Sequence, residues 1–317
     1  MRRAHALLGA RIGFVLLTIG FAWWGFRGRW AEIGEAITGT SAWQPAVALV
    51  ATASGLLLTG ALWRRLLAAL GYRVSRPDAA SVFFVGQVGK YLPGSVWSFA
   101  AQAQLGRRYA VPMRTSFTAS ALFLFLHTAS GLVLGGALAA AGVVDLDAAR
   151  WWWLAAIAVG VVSMSPPLVR VLGDRLAGRA GGTAFGARAL LTSCALMAGV
   201  WACFGAATWA LAGPGHGVAP ASAVGAFAIA HVAGVLLVFA PAGLGAREAV
   251  LVAALAPALG VGAAAAVALL ARVVHTVADF LLATASAARV GLRTRRGADA
   301  ERVLASPSQD GPAAADA

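Results

Sequence analysis

Long apolar segments separated by short polar loops follow one another along almost the whole chain. Six of these segments are long enough for an α-helix to cross a bilayer, which takes about 20 residues. We predict complete crossings at residues 9–26, 43–63, 115–142, 151–170, 189–212 and 262–288. The pattern therefore predicts an all-α polytopic membrane protein with about six full transmembrane helices.

The chain begins with Arg2 and Arg3 before an apolar stretch, as a secretory signal peptide does. Trp23, Trp24 and Arg27 follow where a cleavage site would need small residues. We therefore interpret this segment as an uncleaved first transmembrane helix, with the N-terminus in the cytoplasm.

Two further apolar stretches, at residues 78–106 and 221–260, are broken by helix-disrupting residues. These residues are Gly86, Gly89, Pro93 and Gly94 in the first stretch, and Pro241, Gly243 and Gly245 in the second. Proline and clustered glycine interrupt helices. Irregular backbone at membrane depth is tolerated only inside protein or beside a water-filled cavity. We predict that each stretch forms a re-entrant hairpin of two half-helices.

The distribution of arginine orients the first hairpin. Arginine-rich loops at 64–76 and 107–114 flank it, and the positive-inside rule places both loops in the cytoplasm. The first hairpin must therefore enter and leave the membrane from the cytoplasmic side.

The second hairpin is expected to enter from the outside. The loop at 213–220 lacks Lys and Arg, whereas the tail from Arg289 onward is basic, so an odd number of crossings separates them. A hairpin followed by one crossing is the simplest solution, and complete spans at 221–240 and 243–260 are the alternative. With the hairpin, the chain is an inverted repeat.

The predicted domain organisation follows from this topology. A transmembrane domain occupies residues 1–290, with halves at about 1–142 and 151–290. Residues 291–317 are rich in Ala, Asp, Pro and Ser toward their end, and we expect them to form a disordered cytoplasmic tail.

Composition supports the membrane assignment and excludes several other classes. Of the residues, 60% are hydrophobic and 12% are charged, against about 25% charged in soluble domains. The net charge of +13 lies in short runs at the ends of apolar segments, which favours anionic lipid headgroups over nucleic acid as the partner. Cys194 and Cys203 lie on opposite sides of one predicted helix, so neither a disulfide nor a zinc site is expected.

The first break carries Lys90, the only lysine among 25 basic residues. A cation in hydrocarbon costs at least about 2.5 kcal/mol, so we interpret Lys90 beside a half-helix terminus as part of an anion site. The alternative is that its side chain extends to the membrane surface. The other candidate substrate-binding residues of this break are Gln87, Tyr91, Pro93, Gly94 and Trp97.

The second break contains Gly243 and Gly245, followed by Arg247 and Glu248. Adjacent residues on a helix do not face each other, so one of the two charges is expected to face substrate while the other finds a partner elsewhere. The alternative is an ion pair that only fixes the end of the hairpin.

The last predicted helix contains Arg272, His275 and Asp279 at spacings that place all three on one face. We expect this face to turn toward the interior of the bundle. Glu248 and Asp279 are the candidate partners for the cations and for any proton coupling. We interpret the isolated His127 and His231 as packing residues, and the sequence predicts no metal site and no cofactor.

Two motifs occur together in this chain. Segment 85–104 has the core Gly-Lys-Tyr-Leu-Pro-Gly-Ser-Val-Trp, and residues 241–248 read Pro-x-Gly-x-Gly-x-Arg-Glu. Arg272 follows in a Leu-Leu-Ala-Arg context. Over roughly residues 12–289 the chain resembles the lysylphosphatidylglycerol synthase transmembrane-region family, also called the flippase-like domain family. The resemblance implies an inner-membrane protein related to the lipid-flipping half of the aminoacyl-phospholipid synthases. It also implies that Lys90, Pro93, Gly94, Arg247 and Glu248 match the family's polar breakpoints.

In those two-part proteins a separate cytosolic domain makes the lipid. The present sequence ends shortly after its last helix, so we expect a stand-alone member that is not an enzyme.

The expected function is a flippase-like lipid translocase that moves an anionic phospholipid or a polyprenyl-phosphate-linked lipid across the cytoplasmic membrane. The alternatives are a membrane-embedded transferase or accessory scaffold for envelope lipid or glycan synthesis, and a secondary transporter of a small anion. A lipid translocase predicts a groove open to lipid, whereas a transporter of a small anion predicts a closed, water-filled cavity. Expected partners are phosphate-containing lipids and a lipid-synthesis enzyme or glycosyltransferase.

Overall fold

The computed structural model describes residues 28–92, 96–178, 182–237, 243 and 245–305, with side chains up to Arg289. Every regular element in these ranges is helical, which confirms the all-α prediction. The α-helices are α1 (Trp30–Thr38), α2 (Trp43–Ala69), α3 (Arg76–Gln87), α4 (Trp97–Gly106), α5 (Met113–Ala140), α6 (Arg150–Met164), α7 (Pro166–Ala177), α8 (Ala187–Ala212), α9 (Pro220–Leu236), α10 (Ala246–Leu259) and α11 (Val261–Ala305).

Four of these helices, α2, α5, α8 and the first part of α11, are long and apolar enough to cross a membrane. They correspond to four of the six predicted crossings. The predicted crossing at 9–26 lies outside the described residues. Apolar side chains face outward along the bundle, as lipid contact requires. They include Val50, Leu57, Val159, Val162, Leu191 and Val273.

The predicted crossing at 151–170 is bent rather than continuous. Helix α6 ends at Met164 and α7 begins at Pro166, at an angle of 60°. Pro166 and Pro167 lack backbone N–H groups and disfavour helix in the residue that precedes them, so the chain turns at Ser165. Hydropathy alone does not detect this bend, because the apolar pattern continues across it.

The last helix continues beyond the membrane-length segment to Ala305. The sequence predicts a disordered tail from residue 291, whereas the structure places residues 291–305 in helix. This segment contains several Arg and Ala residues, which have high helix propensity. Residues 306–317 lie outside the described part of the chain.

Helices α2 and α8 form an antiparallel pair. Gln44 Nε2 near the start of α2 donates to the carbonyl oxygen of Ala210 near the end of α8, at 3.1 Å. A Cβ placed on Gly55 would lie 2.6 Å from the Phe204 ring, so the two helices approach closely at this glycine. At the other end, the Ala184 N–H donates to the Ala69 carbonyl at 2.8 Å.

The first predicted hairpin is formed by α3, a 3-10 turn at Val88–Tyr91, and α4. Its arms are so close that a Cβ on Gly89 would lie 2.7 Å from the backbone nitrogen of Ser98. The buried Gln102 holds the return arm against α5, because its carbonyl oxygen accepts a hydrogen bond from Ser116 Oγ at 3.0 Å. Both ends of this hairpin lie at the end of the bundle where α2 ends and α5 begins, and where the arginine-rich loops lie. We call this the basic end.

The first arm of the second hairpin, α9, runs antiparallel to the second half of α5. Ser222 Oγ donates to the Val143 carbonyl at 2.9 Å, and His231 lies beside His127 with ring centroids 4.5 Å apart. His127 is 14 residues after Met113 and 13 before Ala140, the two ends of α5. Helix α9 therefore reaches only the middle of the bundle.

The second arm, α10, returns to the end at which α9 begins. Glu248 in its first turn pairs with Arg272 of α11, and α10 ends at Leu259, two residues before α11 starts. Ala258 and Leu259 border the same cavity as Trp43 and Gly213, at the end of the bundle opposite the basic end. The two hairpins thus enter from opposite ends. For residues 221–260, the structure favours a hairpin over two complete spans.

We predict that Gly89→Ala destabilises the fold by about 1–3 kcal/mol, because the added methyl group meets backbone rather than a movable side chain. Thermal unfolding of the detergent-solubilised protein measures this as a lower midpoint. Gly34→Ala in α1 is the matched control, since nothing lies within 4 Å of its Cβ position. It should be neutral or slightly stabilising. An unchanged midpoint for Gly89→Ala would contradict the close packing of the arms.

Candidate functional site

The ends of both hairpins meet one face of α11 at the middle of the bundle. This face carries Arg272, His275 and Asp279, and the relative exposures of His275 and Asp279 are 7% and 3%. The predicted orientation toward the interior is therefore observed. Arg272 and Asp279 are two helical turns apart, about 10 Å along the axis. We define the central polar layer as Lys90, Tyr91, Arg247, Glu248, Arg272, His275 and Asp279.

The first hairpin contributes a cation and a phenol to this layer. Lys90 Nζ lies 2.6 Å from Asp279 Oδ2, and the Tyr91 hydroxyl donates to the same oxygen at 2.6 Å. The Tyr91 ring stacks on Phe280 with centroids 5.6 Å apart. The Lys90 side chain therefore ends on a buried carboxylate and does not extend to the membrane surface.

The second hairpin contributes a carboxylate with two donors. Gly245 has a φ of 93°, in the left-handed region that favours glycine. Its N–H donates to Glu248 Oε2 at 2.7 Å. Arg272 Nη1 donates to the other oxygen, Oε1. Glu248 thus satisfies a free N–H group at the start of α10 and neutralises a cation of α11.

Arg247, the neighbour of Glu248, points elsewhere and contacts an aromatic ring. Its guanidinium carbon lies 4.6 Å from the centroid of Phe227 in α9, a cation–π arrangement. Its Nη2 is buried and has no hydrogen-bond partner within the described residues. Of the two adjacent charges, Glu248 is therefore the one with a charged partner on another helix.

The charges of the layer do not balance. Lys90, Arg247 and Arg272 are three cations, whereas Glu248 and Asp279 are two carboxylates, so these described residues carry a formal excess of one positive charge. A buried charge is costly unless it is paired and hydrogen-bonded. Among the described residues, the one unpaired donor of this layer that belongs to a charged side chain is Nη2 of Arg247.

Two histidines, His231 and His275, lie against the Phe227 ring that holds Arg247, and a third, His127, lies beside His231. The rings of His127 and His231 contact each other, and His275 stacks on Phe227 with centroids 5.1 Å apart. Both ring nitrogens of His127, and Nε2 of His231 and His275, have no hydrogen-bond partner in the described structure. We did not predict this cluster from the sequence. The sequence shows only that three apolar helices, α5, α9 and α11, each contain one of these histidines.

The remaining predicted site residues lie around the layer. Gln87 is half-buried at the end of α3, and Trp97 is exposed at the start of α4. Gly243 packs on α9, because a Cβ there would lie 2.7 Å from Gly234 Cα. Pro93 and Gly94 lie outside the described residues.

The layer reaches the outer surface of the bundle beside the first hairpin. The Lys90 side chain is 31% exposed, and exposed apolar residues flank it on the hairpin and on α11. These are Leu92, two residues after Lys90, and Phe280, whose ring stacks on Tyr91. A polar group bound to Lys90 can thus remain attached to apolar chains outside the bundle.

An apolar exterior, two opposed hairpins and charges paired at mid-depth define an integral membrane protein with an internal polar site. The chain matches the family described as Lysylphosphatidylglycerol synthase TM region over residues 10–283, and it belongs to that family. The predicted family is confirmed. The comparison with curated proteins gives no match. The family assigns the chain a membrane-embedded function related to lipids.

We predict that Lys90→Met destabilises the protein by about 3–5 kcal/mol, because it leaves the buried Asp279 without its cation. The double variant Lys90→Met/Asp279→Leu should recover most of this loss, since no isolated charge remains. Thermal unfolding of both single variants and the double variant measures the coupling. Additive effects of the two substitutions would show that the pair does not stabilise the fold.

Proposed function

We propose that the protein is a translocase that moves a lipid with a phosphate-containing headgroup across the cytoplasmic membrane. The lipid is an anionic phospholipid or a polyprenyl-phosphate-linked lipid. The observation that supports this most directly is the buried Nη2 of Arg247, which has no hydrogen-bond partner in a layer with more cations than carboxylates.

A phosphate cannot cross hydrocarbon without compensation for its lost hydration. Guanidinium groups present forked donors that match phosphate oxygens. Arg247 offers such a donor halfway along the bundle, where the energetic barrier for a headgroup is greatest. Lys90 and Arg272 add two further cations to the layer, at contacts about two helical turns apart along α11.

A lipid substrate is favoured over a small soluble anion by the position of Lys90. This residue lies at the edge of the layer, between exposed apolar residues of the first hairpin and α11. A headgroup bound there leaves its acyl chains among Leu92 and Phe280 at the outer surface. A small anion would need no such lateral opening.

The opposed hairpins suggest how access can alternate. The first hairpin is tied to α11 by Lys90 and Asp279, and the second by Glu248 and Arg272. A phosphate that replaces Asp279 at Lys90, or Glu248 at Arg272, weakens the contact of one hairpin at a time. Because the hairpins enter from opposite ends, each loosened contact opens the layer toward a different leaflet.

The arginine-rich loops at the basic end support a cytoplasmic position for that end. With one crossing at 9–26, as the sequence predicts, both chain termini lie on that side. Translocation makes and breaks no covalent bond, so the proposal assigns the layer a binding role and not a catalytic one. An enzyme that makes the lipid, or a glycosyltransferase that uses it, would be the natural partner.

The test is lipid movement in proteoliposomes that contain headgroup-labelled phosphatidylglycerol, its lysylated form, or a polyprenyl-phosphate sugar. We expect the wild-type protein to move one of these lipids, and Arg247→Gln to reduce the rate at least tenfold, about 1.4 kcal/mol. Arg175→Gln, an exposed arginine on α7, is the control and should move lipid at the wild-type rate.

Two results would overturn the proposal. If folded wild-type protein moves none of the three lipids, the translocase proposal is wrong and a transferase or scaffold function is favoured. Movement that Arg247→Gln leaves unchanged would retain the activity but remove the central polar layer as its site.

A further inference from the structure

A second cavity, separate from the central polar layer, lies at the basic end. It has a volume of about 770 Å³ and is bordered by α2, by the first arm of the first hairpin, by α8 and by α11. This volume lies within the range of about 300–1,000 Å³ that is usual for ligand sites. The residues that border it include Leu57, Ala61, Arg64, Arg65, Arg76 and Arg289.

Four arginines border this cavity at the basic end of the bundle. Arg64 and Arg65 come from α2, Arg76 from the first turn of α3, and Arg289 from α11. Three separate helices therefore contribute arginines to the border of one cavity, and the four do not form one basic run in the sequence. No acidic residue is among the described residues that border the cavity.

The cavity is apolar on the side nearer the centre of the bundle. Along one face of α2, Leu57 and Ala61 precede Arg64 at helical spacing. The distance from Leu57 to Arg64 along the axis is about 10 Å. Phe84 and Leu196 complete the apolar part, and Leu57 is 53% exposed toward the outer surface. The cavity is thus open laterally on its apolar side.

The cavity is thus basic at one end and apolar at the other, which matches a phospholipid with its headgroup at the membrane surface and its acyl chains inside the leaflet. The arginines lie where headgroup phosphates lie, and the apolar part continues in the direction of the acyl chains. Basic pockets between transmembrane helices at the cytoplasmic side suit anionic headgroups, and arginine binds phosphate oxygens through two donors at once.

We propose that this cavity binds an anionic diacyl phospholipid of the leaflet at the basic end. The headgroup phosphate contacts the four arginines and one acyl chain lies along Leu57 and Phe84. This site is distinct from the central polar layer and does not depend on translocation. The bound lipid bridges α2, the first hairpin and α11.

The test is binding to the purified full-length protein in detergent, measured by native mass spectrometry. The probes are phosphatidylglycerol, phosphatidylcholine and inorganic phosphate. We expect phosphatidylglycerol to bind at least tenfold more tightly than phosphatidylcholine. The variant Arg64→Gln/Arg76→Gln should lose this preference. The matched control Arg107→Gln/Arg108→Gln changes two arginines of the loop after α4, outside the cavity, and should retain it.

Ala61→Phe keeps every arginine but fills the apolar part of the cavity. It should weaken phosphatidylglycerol binding at least tenfold, and it serves as the deciding variant if the arginine variant does not fold. Equal losses in the control variant would show that net positive charge, and not this cavity, attracts the lipid. Unchanged binding in Ala61→Phe, or inorganic phosphate that displaces the lipid at equal concentration, would also overturn the proposal.

Discussion

Five charged side chains lie halfway along a bundle with an apolar exterior, and each must be stabilised by groups that the fold carries to that depth. Half-helices meet this requirement, because they end in the middle of the bundle and place side chains near their ends there. Lys90 and Glu248 lie at such ends, and both bind the same face of α11. The two ion pairs therefore fix both hairpins to a single helix, and the positions of α3, α4, α9 and α10 depend on them.

The packing of the two halves is reciprocal. Helix α5, which follows the first hairpin, packs on the first arm of the second, and α11, which follows the second hairpin, packs on the first arm of the first. Helix α2 of the first half and α8 of the second pack on each other as the antiparallel pair described above. The hairpins differ in how they are held: the buried Gln102 fixes the first to α5, whereas Gly234 and Gly243 bring the arms of the second into backbone contact.

Local chemistry explains which features the sequence predicts. The hairpins were predictable because glycine and proline interrupt apolar runs, and the polar face of α11 because Arg272, His275 and Asp279 have helical spacing. The partner of each cation was not predictable, since it depends on which residues tertiary packing brings together. For the same reason, the sequence did not predict that Arg247 lies against Phe227 and near the histidines. The bend at Ser165 was missed although Pro166 was visible, because the apolar pattern on both sides outweighed the local signal.

The pairing of Lys90 with Asp279 has a practical consequence, because Lys90 is the only lysine in the sequence. Isotope-labelled lysine introduced during expression gives a single side-chain ammonium signal, and that signal originates in the central polar layer. Spectroscopy can therefore follow the opening and closing of one ion pair without assignment of the rest of the spectrum. The composition of the chain thus provides a built-in reporter of the state of the first hairpin.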